Sequence, residues 1–324
     1  MSRILFITAT RIGDAVLASG LVDHLARTEL DARITVACGP LAAPLFRAAP
    51  CVEDVIVMEK RPGGGHWLDL WRRTVSRHWD LVVDLRGSAT SWFLRAGRRV
   101  VKRRGLNGAA VNGSPVHKVV EASRVLDPNA IFAPALWLDA AAEAEAARLI
   151  PDDAPVLALA PAAAAPFKEW APERFSELAG RLTGPGGALE GGYVVLLGGP
   201  GDEATAAAAC KGLREDRVID LVGKLGLLEA GACLRRATLF VGNDSGLMHI
   251  AAAAGTPTLG LFGPTDERVY GPWGDFARPV RAGGPADERE RGRLRFAEES
   301  LMGALEVDPV VSAAEQLLSE RKAA

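Results

Sequence analysis

The chain has 324 residues, 48% hydrophobic and 24% charged, with a net charge of −2. That length suits about two domains with cores large enough to need no disulfide or metal staple. The near-zero balance carries no sign of a nucleic-acid partner, and without a run of 18 apolar residues no membrane span is expected. Cys38, Cys51, Cys210 and Cys233 form no Cys-x-x-Cys pair, and the five histidines lack metal-ligand spacing, so no metal site is expected.

Residues Met1–Ile7 run straight into a strand pattern, which places the chain in the cytoplasm by default. Strand-like apolar runs follow in order. Ile4–Thr8, Ile34–Ala37, Val55–Met58 and Leu81–Leu85 lie in the first half. Val156–Ala160, Tyr193–Leu197, Val218–Leu221, Leu239–Val241 and Thr258–Phe262 lie in the second. Near-continuous apolar strands alternating with helices predict parallel sheets covered on both faces. The fold class is therefore α/β, with two Rossmann-like domains. An Ala/Glu helix ending in Pro-Asp-Asp-Ala-Pro marks a hinge within Leu138–Pro155, giving domains 1–150 and 151–324. The C-terminal helical stretch Val310–Leu318 is expected to pack back on the first domain.

Four stretches carry candidate chemistry. In Thr8-Ala9-Thr10-Arg11-Ile12-Gly13-Asp14 a strand ends and a helix opens. This is neither a Gly-x-Gly-x-x-Gly fingerprint nor a Walker loop, and Asp14 taken alone reads as a helix cap. In the second, Ala160 to Phe175, a strand leads through Ala162–Ala165 to Lys168 and a helix from Pro172. Gly198-Gly199-Pro200-Gly201-Asp202-Glu203 follows another strand. An acid there can accept hydrogen bonds from ribose hydroxyls, or the glycines simply turn the chain. Lastly, Val241-Gly242-Asn243-Asp244-Ser245-Gly246-Leu247-Met248-His249 turns from strand to Ala-rich helix. Asp244 or Ser245 can cap that helix, Gly246 permits close backbone approach, and the free N–H groups suit a diphosphate.

Arg95, Arg98, Arg99, Lys102, Arg103 and Arg104 crowd ten residues. They read either as a solvated strand edge or as a patch for an anionic acceptor or membrane surface.

The run NDSGLMHIAAAAGTPTLGLFGPTD, Asn243 to Asp266, resembles the signature of the family-nine glycosyltransferases, which include the heptosyltransferases of the lipopolysaccharide inner core. The similarity covers most of the chain in separated blocks and is strongest in the second half. It implies a GT-B arrangement, with two parallel sheets facing across a cleft, the first domain on the acceptor side and the second holding the nucleotide sugar. The implied activity is transfer of heptose from an ADP-heptose-like donor to a lipopolysaccharide inner-core acceptor, with inversion at the anomeric carbon. Ile12-Gly13-Asp14 is similar to the family's opening motif, which makes Asp14 the general base. Lys168 resembles the lysine that contacts the donor diphosphate. Relatives place an acid near Asp202 and Glu203, without choosing between them. Asp244, Ser245, Gly246, Met248 and His249 would shape the diphosphate and sugar end of the pocket.

Two features depart from the family pattern. Ala162–Ala165 replaces the Ser or Thr hydroxyls of relatives, and Gly20 stands where many have proline. No Asp-x-Asp pair is present, so no obligatory metal or cofactor is expected beyond the nucleotide sugar as co-substrate. The partners implied are the glycolipid and, peripherally, the inner face of the cytoplasmic membrane. The alanine run keeps two alternatives open: a transferase using another nucleotide sugar for a different surface glycan, and a catalytically weak nucleotide-sugar-binding protein.

Overall fold

Runs of Val, Ile, Leu and Phe without polar alternation form the inner strands, largely buried on both faces, and more exposed edge strands complete two parallel sheets. A computed structural model describes residues 2–103, 108, 114–283, 297 and 299–324. The chain divides into two compact units, Met1–Leu138 and Asp139–Ala324.

The first unit contains β1 (Arg3–Ile7), α1 (Ile12–Leu17), α2 (Ser19–Thr28), β2 (Arg33–Cys38), α3 (Ala43–Arg47), β3 (Val52–Val57), α4 (Gly65–Thr74), β4 (His78–Asp84), β5 (Arg95–Val101) and α5 (Lys118–Leu126). Its strands pair in the order β3-β2-β1-β4-β5, all parallel. Leu5, Ile7, Val82, Trp79 and Leu70 centre the core beneath α4. Gly20 of α2 is a packing requirement. A Cβ there would stand 2.1 Å from the Ala133 carbonyl oxygen, and Ser19 Oγ next to it accepts from Ala135 N at 2.8 Å.

The second unit comprises α6 (Ala140–Leu149), β6 (Val156–Ala160), α7 (Pro172–Thr183), β7 (Tyr193–Leu196), α8 (Glu203–Ala209), β8 (Val218–Asp220), α9 (Leu227–Arg235), β9 (Leu239–Asn243), α10 (Gly246–Ala253), β10 (Thr258–Phe262), α11 (Glu267–Tyr270), β11 (Ala277–Arg281) and α12 (Val307–Ala323). The sheet order is β11-β10-β9-β6-β7-β8. β6, β9 and β10 are buried at every residue. Trp170 and Phe175 meet edge to face at 5.0 Å in a core that extends to Leu182, Val310 and Leu317.

Two placements differ from the sequence expectation. The C-terminal helix belongs to the second unit. Val307, Val310, Val311, Ala314, Leu317 and Leu318 form one apolar stripe, and α12 lays it against α7 and β11. Arg181 pairs with Asp308, and Arg174 with Glu306, along that seam. The division also falls after Leu138, ahead of the boundary at 150. Helix α6, capped by Asp139 at Ala142 N (2.8 Å), packs on α9 and ion-pairs with it through Glu143 and Arg235. No helix among the described residues is long and apolar enough to cross a membrane.

Candidate functional site

Each sheet reverses its winding once. The reversal lies between β1 and β4 in the first unit and between β6 and β9 in the second. Loops leaving the carboxyl ends of neighbouring strands diverge at such a point and open a crevice. Asp14 follows β1 at the first of these places, and Lys168, Asp244 and Ser245 follow β6 and β9 at the second.

In the second unit, the loop after β6 and the loop after β9 start side by side, because Ala160 pairs with Gly242. Lys168 sits in a short 3-10 turn, Pro166–Lys168, and its Nζ donates to Asp244 Oδ2 at 2.6 Å. Their side chains are 25% and 8% exposed. The pair therefore lies in a partly desolvated setting, where its attraction is stronger than on an open surface. Ser245 is the N-cap of α10, but neither Asp244 nor Ser245 makes a side-chain cap bond. Asp244 is committed to Lys168. The buried Ser245 Oγ has no hydrogen-bond partner among the described residues, an exception to the rule that buried hydroxyls find partners. A lysine, an uncommitted hydroxyl and the opening N–H groups of α10 thus come together, with Gly246 as its first residue. His249 is buried one turn further on. Met248 is wholly buried on the sheet side, its sulfur 2.3 Å from where a Cβ on Gly260 would stand. It acts as core packing, and glycine at 260 makes room for it.

Asn243 opens the motif, and nothing in the sequence alone assigns it a task. It is fully buried. Its Oδ1 accepts from Trp170 N at 3.1 Å and its Nδ2 donates to Pro161 O at 2.7 Å. One carboxamide thereby closes both ends of the loop that carries Lys168. Trp170 is anchored again where its Nε1 donates to Leu305 O at 2.7 Å, and Ala163 N donates to Glu169 Oε1 at 2.9 Å. The only sequence signal for this clamp was an amide residue at the end of a buried strand.

After β7, both acids fold their own loop. Asp202 Oδ2 accepts from Gly199 N at 2.8 Å. Both carboxylate oxygens of Glu203 accept from Gly201 N, at 2.9 and 3.1 Å. Hydrogen bonds from its own amide and that of Gly201 hold the Glu203 carboxyl below its ordinary range. Asp202 keeps Oδ1 without a partner among the described residues.

In the first unit, Asp14 is half-buried in the first turn of α1, and Arg11 is the N-cap. No hydrogen bond or ion pair engages its carboxylate among the described residues. Asp84, at the end of β4, is fully buried, a position no sequence motif marks. It accepts from Arg86 N (2.8 Å), Ser88 N (2.9 Å) and Ser88 Oγ (2.6 Å). Asp84 is thus occupied with turning the chain, whereas the Asp14 carboxylate is uncommitted among the described residues.

Arg95, Arg98 and Arg99 of the basic stretch lie on edge strand β5, with Lys102 and Arg103 just beyond it, and these cations have different tasks. Arg99 donates to the carbonyls of Ser91 (3.0 Å), Ala96 (3.3 Å) and Leu94. Lys102 pairs with Glu121 at 2.9 Å. Arg98 lines a cavity of about 190 Å³ with His24, Thr28, Glu29 and Asp127. Arg95 and Arg103 are exposed, and Arg104 lies outside the described residues.

An α/β chain of two parallel-sheet units with this winding has the GT-B type fold. It is similar to a family 9 glycosyltransferase of Veillonella parvula (TM-score 0.80, 19% identity, 98% of both chains). It also resembles the ADP-heptose lipopolysaccharide heptosyltransferase II of Escherichia coli (TM-score 0.75, 22% identity, 99% of this chain and 100% of that one). In sequence it is 27% identical over 310 residues to lipooligosaccharide heptosyltransferase 2 of Haemophilus influenzae, covering 86% of this chain and 88% of that protein. Residues 67–295 match glycosyltransferase family 9 (heptosyltransferase), so the chain belongs to that family and is a glycosyltransferase.

Proposed function

We propose that the protein moves a heptose from an ADP-heptose-like donor to a lipopolysaccharide inner-core acceptor, with inversion, at the cytoplasmic face of the inner membrane. The observation that carries the donor half is the meeting of Lys168, Asp244 and the uncommitted Ser245 Oγ at the start of α10. Donated hydrogen bonds and a cation are what a departing nucleoside diphosphate needs as its charge grows. The heptose and the adenine nucleotide come from the named relatives.

In this reading Asp14 takes the proton from the acceptor hydroxyl as that oxygen bonds to the anomeric carbon. The bond from that carbon to the diphosphate oxygen breaks, and the electron pair leaves with ADP. Lys168, the Ser245 hydroxyl and the α10 amides receive the charge. Asp202, with Oδ1 uncommitted, is the better placed of the two acids to bind the ribose hydroxyls. The second unit is the donor side and the first the acceptor side.

Ala162–Ala165 offers no hydroxyl, which favours one second reading, a donor other than ADP-heptose. A thermal-shift panel of ADP, UDP and GDP separates the two, because stabilisation grows with ligand concentration over Kd. ADP-selective stabilisation supports the heptose reading. Selectivity for UDP or GDP overturns the donor assignment, and no response to any of the three overturns the donor site.

A further inference from the structure

From Lys60 to Arg103 the sequence holds eleven Lys or Arg against three Asp and no Glu, in a chain whose net charge is −2. The same segment carries the most exposed aromatic pair among the described residues. Trp92 is 62% and Phe93 70% exposed, side by side in the short 3-10 turn Thr90–Phe93 that crosses from β4 to β5. This turn is firmly held. Arg99 donates to the carbonyls of Ser91 and Leu94, and Trp71 Nε1 of α4 donates to Phe93 O at 3.4 Å. Leu68, one helical turn before Trp71, is 47% exposed. A fixed turn that presents two large rings to water gains nothing for its own core, and such patches mark contact surfaces.

Cations cluster at the same end of the sheet. Arg72 and Arg73 close α4, Arg77 directly precedes β4, and Arg95 opens β5 opposite His78. Arg73, Arg77 and Arg95 make no ion pair among the described residues. Tryptophan and phenylalanine beside arginines match the two layers of an anionic bilayer surface. The rings enter the headgroup boundary and the guanidinium groups meet lipid phosphates.

We infer that Trp92 and Phe93, flanked by Leu68, Arg72, Arg73, Arg77 and Arg95, form a site that docks the protein on an anionic lipid bilayer. This deepens the proposal of a membrane glycolipid acceptor and gives the membrane contact a location, centred on this turn rather than along β5. Arg99 serves it indirectly by holding the turn.

The test uses the full chain and vesicles of phosphatidylglycerol or phosphatidylcholine, with no acceptor present. Wild type should co-sediment with the anionic vesicles, and Trp92→Ser/Phe93→Ser should lose about tenfold in partitioning through the lost apolar insertion. Brominated lipid should quench the fluorescence of wild type more than that of Trp92→Phe. Both variants should keep the wild-type Tm and ADP response, so failure here is distinguishable from failure of the donor assignment. Equal sedimentation of wild type and the double variant overturns the inference, as does absence of wild-type binding. A wild-type dimer that becomes monomeric in the double variant, seen by light scattering, overturns it in favour of a second copy of the chain.

Discussion

Lys168 and Asp244 are 76 residues apart in sequence, yet Lys168 Nζ donates to Asp244 Oδ2 at 2.6 Å because β6 and β9 are neighbours in the sheet. The carboxylate fixes the direction of the lysine while leaving two of its three donors for another acceptor. Removing the lysine therefore does two things. It deletes a cation, and it leaves a nearly buried carboxylate unpaired where a diphosphate is proposed to lie. Lys168→Ala should weaken ADP binding by roughly 10–100-fold, the scale of a lost charge-assisted contact. The double variant Lys168→Ala/Asp244→Ala should bind ADP more tightly than the single one, since the repelling carboxylate is gone. Calorimetric titration of both decides it. An unchanged ADP affinity in Lys168→Ala makes the ion pair purely structural.

Asp14→Asn should fold, bind ADP as wild type does and lose turnover by roughly 10²–10⁴-fold, the usual contribution of a general base. Its carboxylate is half-buried and uncommitted, whereas Asp84 accepts three hydrogen bonds from its own turn. Asp84→Asn should instead lower the Tm. Near-normal turnover in a folded Asp14→Asn protein would remove Asp14 from the mechanism.

Asn243→Ala leaves Trp170 N and Pro161 O without their side-chain partner in the interior. An unsatisfied buried group costs about 1–3 kcal/mol, so the Tm should fall by roughly 2–12 °C for a unit of this size. The loop carrying Lys168 loses its closure at the same time, so KM for the donor should rise more than KM for the acceptor. Asn243→Asp keeps the acceptor for Trp170 N but sets an oxygen against Pro161 O, and should fare no better. Equal changes in the two KM values would reduce the clamp to a core hydrogen bond.

The apolar runs in the sequence foretold nine strands and two parallel sheets, because inner strands covered on both faces are apolar nearly throughout and the edges β3 and β8 still carry Val and Ile. The two further strands are sheet edges: β5, which the sequence offers only as one reading of its basic stretch, a solvated strand edge, and β11, which it does not show. An edge strand is free to carry Arg95, Arg98 and Arg99, or Pro279, without burying a charge or losing a needed N–H. The apolar stripe of α12 announced a buried face but not which sheet would cover it. Lys168 and Asp244 were each legible in their motifs. Their pairing was not, because it depends on β6 lying beside β9. The Asn243 clamp was hidden for the same reason, since both of its partners sit in another loop.

The cysteines should differ sharply in reactivity. Burial pushes the Cys38 thiol up to about 12 and the Cys233 thiol up to about 11. Only thiolate attacks an alkylating reagent. At pH 8 the native protein should therefore label first at Cys51, which is exposed, while Cys38 and Cys233 stay unmodified until it unfolds. Peptide mass spectrometry after a short iodoacetamide pulse reads the order. Early labelling of Cys38 would mean that the first sheet opens under native conditions.

Arg95 and Arg99 are two arginines of one strand with different work. Arg99 reaches the carbonyls of Ser91, Ala96 and Leu94, while Arg95 is exposed and makes no ion pair among the described residues. Arg99→Ala should destabilise the first unit by about 1–3 kcal/mol, since charged donors to those carbonyls are lost and Leu94 is buried. Arg95→Ala should stay within about 0.5 kcal/mol of wild type, as surface substitutions do. Urea unfolding, followed by tryptophan fluorescence, to which Trp67, Trp71, Trp79, Trp92 and Trp137 of the first unit contribute, measures both. The urea midpoint should fall for Arg99→Ala alone with an unchanged slope. Equal midpoints for the two variants would show that the Arg99 bonds give the turn no net stability, and that Trp92 and Phe93 are held by α4 instead.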